Sequence, residues 1–232
     1  MSKTVRVLLV GAAGRMGQTI VDLAQHDADK IDIVASCDMG DPIEPAISQS
    51  DVVIDFSHAN AIDEVCRVAA KHERALVIGT TGHSDDQRAG ISKCAQTIPI
   101  VFASNFSVGV NALFWLTRKA AELLGPEFAA EIVETHHVHK KDAPSGTAKT
   151  LAEIVKSARK IDNDIPTKSI REGEVVGEHT VAFVESSERL ELTHRAGSRE
   201  IFAKGALRAA CWVVGKPPGL YSMQDVLSLT GL

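Results

Sequence analysis

The sequence predicts an α/β protein. Its first domain is a Rossmann-type doubly wound parallel sheet, and its second is an α+β domain with a mixed or antiparallel sheet. Three observations predict this. Short apolar runs alternate with helical patterns through the first half of the chain, which is the signature of a parallel sheet with crossover helices. The first strand-to-helix turn is glycine-rich, the context that a dinucleotide fingerprint requires. Beyond residue 160 strands follow strands instead, so a separate α+β unit is expected.

The chain has 232 residues, enough for one large or two small domains. Apolar residues make up 44% and aromatics only 4%, so Val, Ile, Leu and Ala must fill the core. A net charge of −5 with no basic tail argues against a nucleic-acid binder. The four cysteines are widely spaced and form no C-x-x-C. That pattern fits reduced thiols and a cytoplasmic location better than a disulfide framework. The apolar run near the N-terminus is too short for a signal peptide or a membrane span.

Val5–Val10 is the first strand. Gly11-Ala-Ala-Gly-Arg-Met-Gly17 follows it, and then a helix through Ala24. The glycines fall at 11, 14 and 17, and Ala12 departs from the usual G-x-G-x-x-G spacing, so the loop taken alone is a weak match. The second strand, Ile31–Cys37, ends at Asp38. A carboxylate about twenty residues past the glycines stands where ribose hydroxyls are read. Otherwise it is a solvated strand end. Asp41-Pro-Ile-Glu-Pro45 is expected as an irregular connection, because two prolines interrupt it. Val52–Phe56, Ala75–Gly79 and Pro99–Ala103 are the remaining strands, and a helix from Ala59 to His72 separates the first two. Ser84-Asp-Asp-Gln87 reads as a capping box for a helix reaching about Ala95. The strand ends are Gly11 to Gly17, Asp38, Phe56-Ser57, Gly79 to Gly82 and Ser104 to Phe106, where a doubly wound sheet binds its ligand.

Val108 to Leu124 is a helix stopped by Gly125-Pro126. The next stretch carries the chemistry. Glu131 to Thr135 alternates like a strand, and His136, His137, His139, Lys140 and Lys141 follow in what reads as a loop. Asp142-Ala-Pro-Ser-Gly-Thr147 then opens a helix. A helix N-terminus suits an anion, and an imidazole titrates near neutrality. The spacing therefore fits a pocket for a carboxylate or phosphate beside a histidine acid or base. Surface histidines and adventitious metal binding are the alternatives, although no Cys or Glu at a regular metal spacing accompanies the run. Glu178–Glu185 and Arg189–Arg195 read as a hairpin. Val181, Phe183, Leu190 and Leu192 lie on one face of it, available to helices of the same chain or to another subunit. A helix from Ile201 to Val214 and a short one opened by Ser222-Met-Gln-Asp225 end the chain.

The run from Glu134 to Ala148 resembles the signature of the 4-hydroxy-tetrahydrodipicolinate (dihydrodipicolinate) reductase family. Five other blocks are similar to it in order: residues 11–17, 79–82, 103–111, 202–208 and 219–227. The resemblance implies NAD(P)H-dependent reduction of a cyclic dicarboxylate in lysine and diaminopimelate synthesis. It makes His136 the proton donor and Lys140 the second catalytic residue, which also binds substrate. His137, Gly146 and Thr147 would hold substrate carboxylates. Gly11, Ala12, Ala13, Gly14, Arg15, Met16, Asp38, Gly79, Thr80, Thr81, Ala103, Ser104, Asn105 and Phe106 would contact NADH or NADPH, and no metal is expected. The dinucleotide domain would comprise 1–107 and 208–232, the substrate domain 108–207, and the assembly a homotetramer.

Two departures from the family pattern stand out. The segment between Asp38 and Val52 is short, which trims the adenosine side of the cofactor site. Met39 stands where many members carry an arginine able to grip a 2′-phosphate. A semialdehyde dehydrogenase is the rival enzyme, but all four cysteines fall in or beside expected strands and helices. A non-catalytic NAD-sensing protein would have no need for His136 and Lys140 together.

Overall fold

The computed structural model describes residues 4–26 and 30–229. The chain divides into two units, Met1–Ser107 with Glu200–Leu232, and Val108–Arg199.

The first unit contains β1 (Val5–Val10), α1 (Arg15–His26), β2 (Ile31–Cys37), α2 (Ile43–Ile47), β3 (Val52–Asp55), α3 (Ile62–Lys71), β4 (Ala75–Ile78), α4 (Asp85–Cys94) and β5 (Pro99–Phe102). Its sheet runs β10-β5-β4-β3-β1-β2, where β10 is Gly219–Tyr221. Every pairing in it is parallel. Strands β3 and β4 are buried at every residue because helices cover both faces. Side chains alternate accordingly. Val7, Leu9, Val52, Ile54 and Val77 pack with Ile20 of α1, and Leu8, Val53, Leu76 and Ile78 pack with Val65 and Ala69 of α3. Each such side chain, fully buried, contributes roughly 1.5–3 kcal/mol. The capping box at Ser84 and Gln87 forms as the sequence indicates.

Four details differ from expectation. The segment at Pro45 forms α2. Proline is tolerated there because the first turn of a helix has no intrahelical use for its N–H groups. Residues 59–61 form a separate 3-10 turn ahead of α3. Strand β10 is only three residues long and carries no readable period. The final long helix, α7 (Glu200–Val213), belongs wholly to this unit, so the boundary falls ahead of it and not at 207/208. Ala203, Ala206, Ala210 and Val213 of α7 are buried in the same cluster as Ile20 and Leu9. A Cβ at Gly205 would lie 1.8 Å from the Phe106 carbonyl oxygen, so only glycine lets α7 cross that loop. The chain then ends in α8 (Met223–Val226), capped by Ser222.

The second unit contains α5 (Val108–Leu123), β6 (Ala129–His136), α6 (Gly146–Arg159), β7 (Thr167–Arg171), β8 (Gly177–Val184) and β9 (Arg189–Ala196). Its sheet is mixed, in the order β7-β6-β8-β9, with β6 and β7 parallel and the other pairs antiparallel. The expected hairpin is β8–β9. Helices α5 and α6 cover the face that carries Ala130, Ile132, Val181 and Phe183. Leu192 packs at the edge of that cluster, and Leu190 is 39% exposed. The apolar face therefore serves the unit's own helices. The opposite face is polar. Arg189 bridges Glu131 and Glu191, Thr180 bonds Thr193, and Arg195 pairs with Glu178.

Candidate active site

The helix-facing side of the second sheet changes chemistry along the strands. Register places Ala130 beside Phe183, and Ile132 beside Val181 and Thr167. The next rung holds Ser169, Glu134, His179 and His194, and the last pairs His136 with Arg171. The apolar core thus gives way to a buried polar end, and α6 begins there with Ser145 as its N-cap.

Glu134 is fully buried. One carboxylate oxygen hydrogen-bonds Nδ1 of His136, and the other accepts from Arg171 Nη2 at 3.0 Å. Burial alone would raise this carboxyl, but hydrogen bonds from Arg171, Ser169 and His136 hold it below the usual carboxylate range. His136 itself lies below the ordinary imidazole range, because burial outweighs the pull of Glu134. Arg171 also reaches the carbonyls of Lys140 at 3.2 Å and Asp142 at 2.6 Å, so it ties the site loop to the strand. Lys140 Nζ stands 2.7 Å from Asp142, whose carboxyl it holds low.

His179 is the second buried histidine. Its ring meets that of His136 edge to face with centroids 5.1 Å apart, and its Nε2 lies 3.1 Å from the Ser145 hydroxyl. The same hydroxyl accepts from the Ala148 N–H, which caps α6. Burial pushes His179 down to about 4. Gly177 keeps space open at His136, since a Cβ there would lie 3.1 Å from Nε2.

The structure corrects the reading of the histidine run. His136 is the last residue of β6, not a loop residue. His137 begins the loop, donating its N–H to the Val175 carbonyl at 2.7 Å, and its ring Nδ1 is buried without a partner. His139 is exposed opposite Glu174. Gly146 and Thr147 are the first residues of α6. Glu134, Arg171, Ser145 and His179 lie outside the expected set of site residues. Glu134 was within reach, since residues two apart on a strand share a face, and only the early end assigned to the strand hid it. Glu134, His136 and His179 place donor atoms within 4.8 Å of one another, a grouping able to hold a metal ion. The Glu134 carboxylate is already shared between His136 and the cationic Arg171, which opposes one.

The expected cofactor residues lie at the carboxyl ends of the strands in the first unit. Gly11 has φ +89°, and a Cβ there would lie 2.5 Å from the Phe56 carbonyl oxygen. A Cβ at Gly17 would lie 2.2 Å from the Gly11 carbonyl oxygen. Only glycine fits either position, and together they bring the loop tightly round to α1. This leaves Ala13, Gly14 and Arg15 exposed and Ala12 and Met16 partly so. Asp38 accepts the Ala13 N–H at 2.9 Å and so closes against the loop. Gly79 sits against the Phe56 ring, and Thr80 accepts the Ser57 N–H at 2.9 Å. Thr81 and Ser104 are exposed, Ala103 is partly buried, Asn105 accepts the Ser107 N–H, and the buried Phe106 ring lies tilted against that of Phe56 with centroids 5.7 Å apart. The glycine cradle and the adjacent carboxylate fit a dinucleotide.

Two family models together span most of the chain. The one described as dihydrodipicolinate reductase, N-terminus, matches residues 5–106, and the C-terminus model matches 109–227. The chain is 48% identical to a 4-hydroxy-tetrahydrodipicolinate reductase of Akkermansia muciniphila, over 98% of this chain and 100% of that one. It is 39% identical to the enzyme of the same name from Syntrophotalea carbinolica, over 97% and 99%. The fold matches the dipicolinate-bound dihydrodipicolinate reductase of Paenisporosarcina sp. TG-14 with a TM-score of 0.84 at 23% identity, over 96% and 99% of the two chains. With the glycine cradle in one unit and the His136–Lys140 loop in the other, these matches establish that the chain belongs to the dihydrodipicolinate reductase family.

Proposed function

We propose that the protein reduces 4-hydroxy-tetrahydrodipicolinate to tetrahydrodipicolinate with a nicotinamide cofactor, in lysine and diaminopimelate biosynthesis. The observation that carries this reading is the buried Glu134–His136 pair, set beside Lys140 and the Ser145-capped start of α6. A dinucleotide held by residues 11–16, Asp38, 79–81 and 103–106 would supply the hydride.

The residues of the second unit then divide the remaining work. Lys140 and the N-terminus of α6 at Gly146 and Thr147 supply positive charge for a dicarboxylate. His137 has a buried ring nitrogen without a partner, available to a carboxylate in its hydrogen-bonding tautomer. Lys140 must exchange Asp142 for substrate, which keeps its charge paired in the free protein. His136 delivers a proton from Nε2. Its lowered affinity for that proton in the free protein rises when a dianion arrives nearby, so the substrate itself charges the acid.

No helix among the described residues is long and apolar enough to cross a membrane. A cytoplasmic location accords with four thiols that form no disulfide. The assembly is read as a homotetramer. Helices α5 and α6 take up the sheet's apolar face, so the face with neither helix on it, carrying Thr180, Thr193 and their ion-pair neighbours, is the one offered to a partner. Oxidation of NADH with the product of dihydrodipicolinate synthase generated in situ tests the function. Absence of turnover with both NADH and NADPH would end the reading.

A further inference from the structure

We propose that Glu134 is the positioning residue of the site: it takes the Nδ1 hydrogen of His136 and so reserves Nε2 for proton exchange with the substrate. The inference rests on the reading of His136 as the proton donor and goes beyond it. A neutral imidazole has two tautomers, and the hydrogen bond made by one nitrogen decides the state of the other. Here Oε2 of Glu134 faces Nδ1 directly. A ring protonated on Nε2 alone would turn a lone pair toward that carboxylate, so the Nδ1–H form is selected. The carboxylate cannot swing away. It is fully buried, and Arg171 holds its other oxygen. Arg171 also binds the carbonyls of Lys140 and Asp142, so one guanidinium fixes the imidazole's partner and the loop that carries Lys140.

The other side of the ring fits this assignment. Gly177 is the residue beside Nε2, and any side chain there would press on it. His179 makes no hydrogen bond to Glu134: its Nε2 is engaged with Ser145, and its Nδ1 is buried with no hydrogen-bond partner. The proton accounting is closed. The imidazolium passes its Nε2 proton to the substrate, the ring becomes neutral and keeps Nδ1–H on Glu134, and Nε2 regains a proton from water. Glu134 stays ionised throughout. This is the arrangement by which a buried carboxylate orients a catalytic imidazole in hydrolytic triads, where loss of the carboxylate's charge costs up to ~10⁴ in rate through the wrong tautomer.

The test begins with the unmodified chain. Nitrogen-15 spectra of histidine-labelled protein, at a pH where His136 is neutral, should show the Nδ1–H tautomer. An Nε2–H ring would overturn the proposal. Glu134→Gln should then lower kcat at least ~10-fold with KM within about 3-fold of the original. The basic limb of its kcat profile should move to lower pH, because the imidazolium loses its anionic support. Glu134→Asp should restore part of the rate and return the limb toward its original position. Should Glu134→Gln fail to fold, Ser169→Ala removes a hydrogen bond that the carboxylate accepts, leaves it a stronger acceptor for the imidazolium, and should move the limb slightly to higher pH; a limb that stays in place would overturn the proposal. A folded Glu134→Gln with an unshifted profile assigns Glu134 a purely structural role and overturns the proposal. The spectrum needs no turnover, so an Nδ1–H ring in a chain with no reductase activity would overturn the functional reading and not the tautomer.

Discussion

His136 and His179 meet edge to face across β6 and β8, at the end of the sheet where its helix-facing side turns from apolar to polar. Both imidazoles are held below their usual range, by burial first and by neighbouring positive charge second. The two rings have different partners. His136 faces a carboxylate, and His179 faces the hydroxyl that caps α6.

That difference has a consequence for stability. His179 titrates at about 4 in the folded chain and near 6.5 when unfolded. Between those values the unfolded state binds a proton that the folded state refuses. Its contribution is therefore complete above pH ~6.5 and is lost as pH falls toward about 4, roughly 3 kcal/mol in all. Chemical unfolding followed from pH 7 to 4.5 should show this loss in the native chain and a shallower one in His179→Asn. At pH 7 the variant should lose about 1 kcal/mol through the Ser145 hydrogen bond. Parallel pH dependences in the two proteins would refute the assignment.

The second prediction concerns the cofactor. Asp38 is pinned to the glycine loop by the Ala13 N–H, and Met39 beside it is 97% exposed. A carboxylate accepts ribose hydroxyls and repels a 2′-phosphate. With no cation at position 39, NADH should be used at least as well as NADPH. Met39→Arg should raise kcat/KM for NADPH more than for NADH. A native chain that clearly prefers NADPH would count against this, with the exposed Arg15 as the residue then responsible.

The third prediction concerns assembly. The ion pairs of Arg189 with Glu131 and Glu191 are about half exposed in the single chain, and exposed pairs contribute little. Placed under a partner's sheet they would be screened less and contribute more. Light scattering at micromolar concentration should give a tetramer mass, and Thr180→Lys, on the same face, should shift it toward smaller species. A monomer in the native chain would exclude the proposal.

Most of the first unit was legible because its central strands β3 and β4 are buried on both faces and read as short apolar runs, each followed by a glycine or polar turn. Its glycines were legible as a loop, but their necessity was not. The clash of a Gly17 Cβ with the Gly11 carbonyl exists only once α1 turns back on β1. In the second unit, the histidines and Lys140 were visible as a local run. Arg171 and His179 come from strands whose register no single sequence states. Glu134 could be read only by extending β6 one residue, to His136. Val181, Phe183 and Leu192 were legible as one apolar face, with Leu190 left at its exposed edge, but the choice between the unit's own helices and a partner depended on where α5 and α6 pack.

The last prediction separates His136 from Lys140. His136 offers an acid at Nε2, and Lys140 a charge now paired with Asp142. His136→Gln should lower kcat by roughly 10²–10⁴-fold with a smaller effect on KM, as for loss of a general acid. Lys140→Ala should damage both constants, because the ammonium both holds a carboxylate and steadies developing charge. Lys141→Ala is the control, since that exposed side chain has no part in the site and surface substitutions change little. All three variants should bind NADH normally, because the cofactor loops belong to the other unit. Near-normal turnover of a folded His136→Gln would remove His136 from the chemistry. His179 would not inherit the role, because a ring that titrates at about 4 carries almost no proton to give near neutrality.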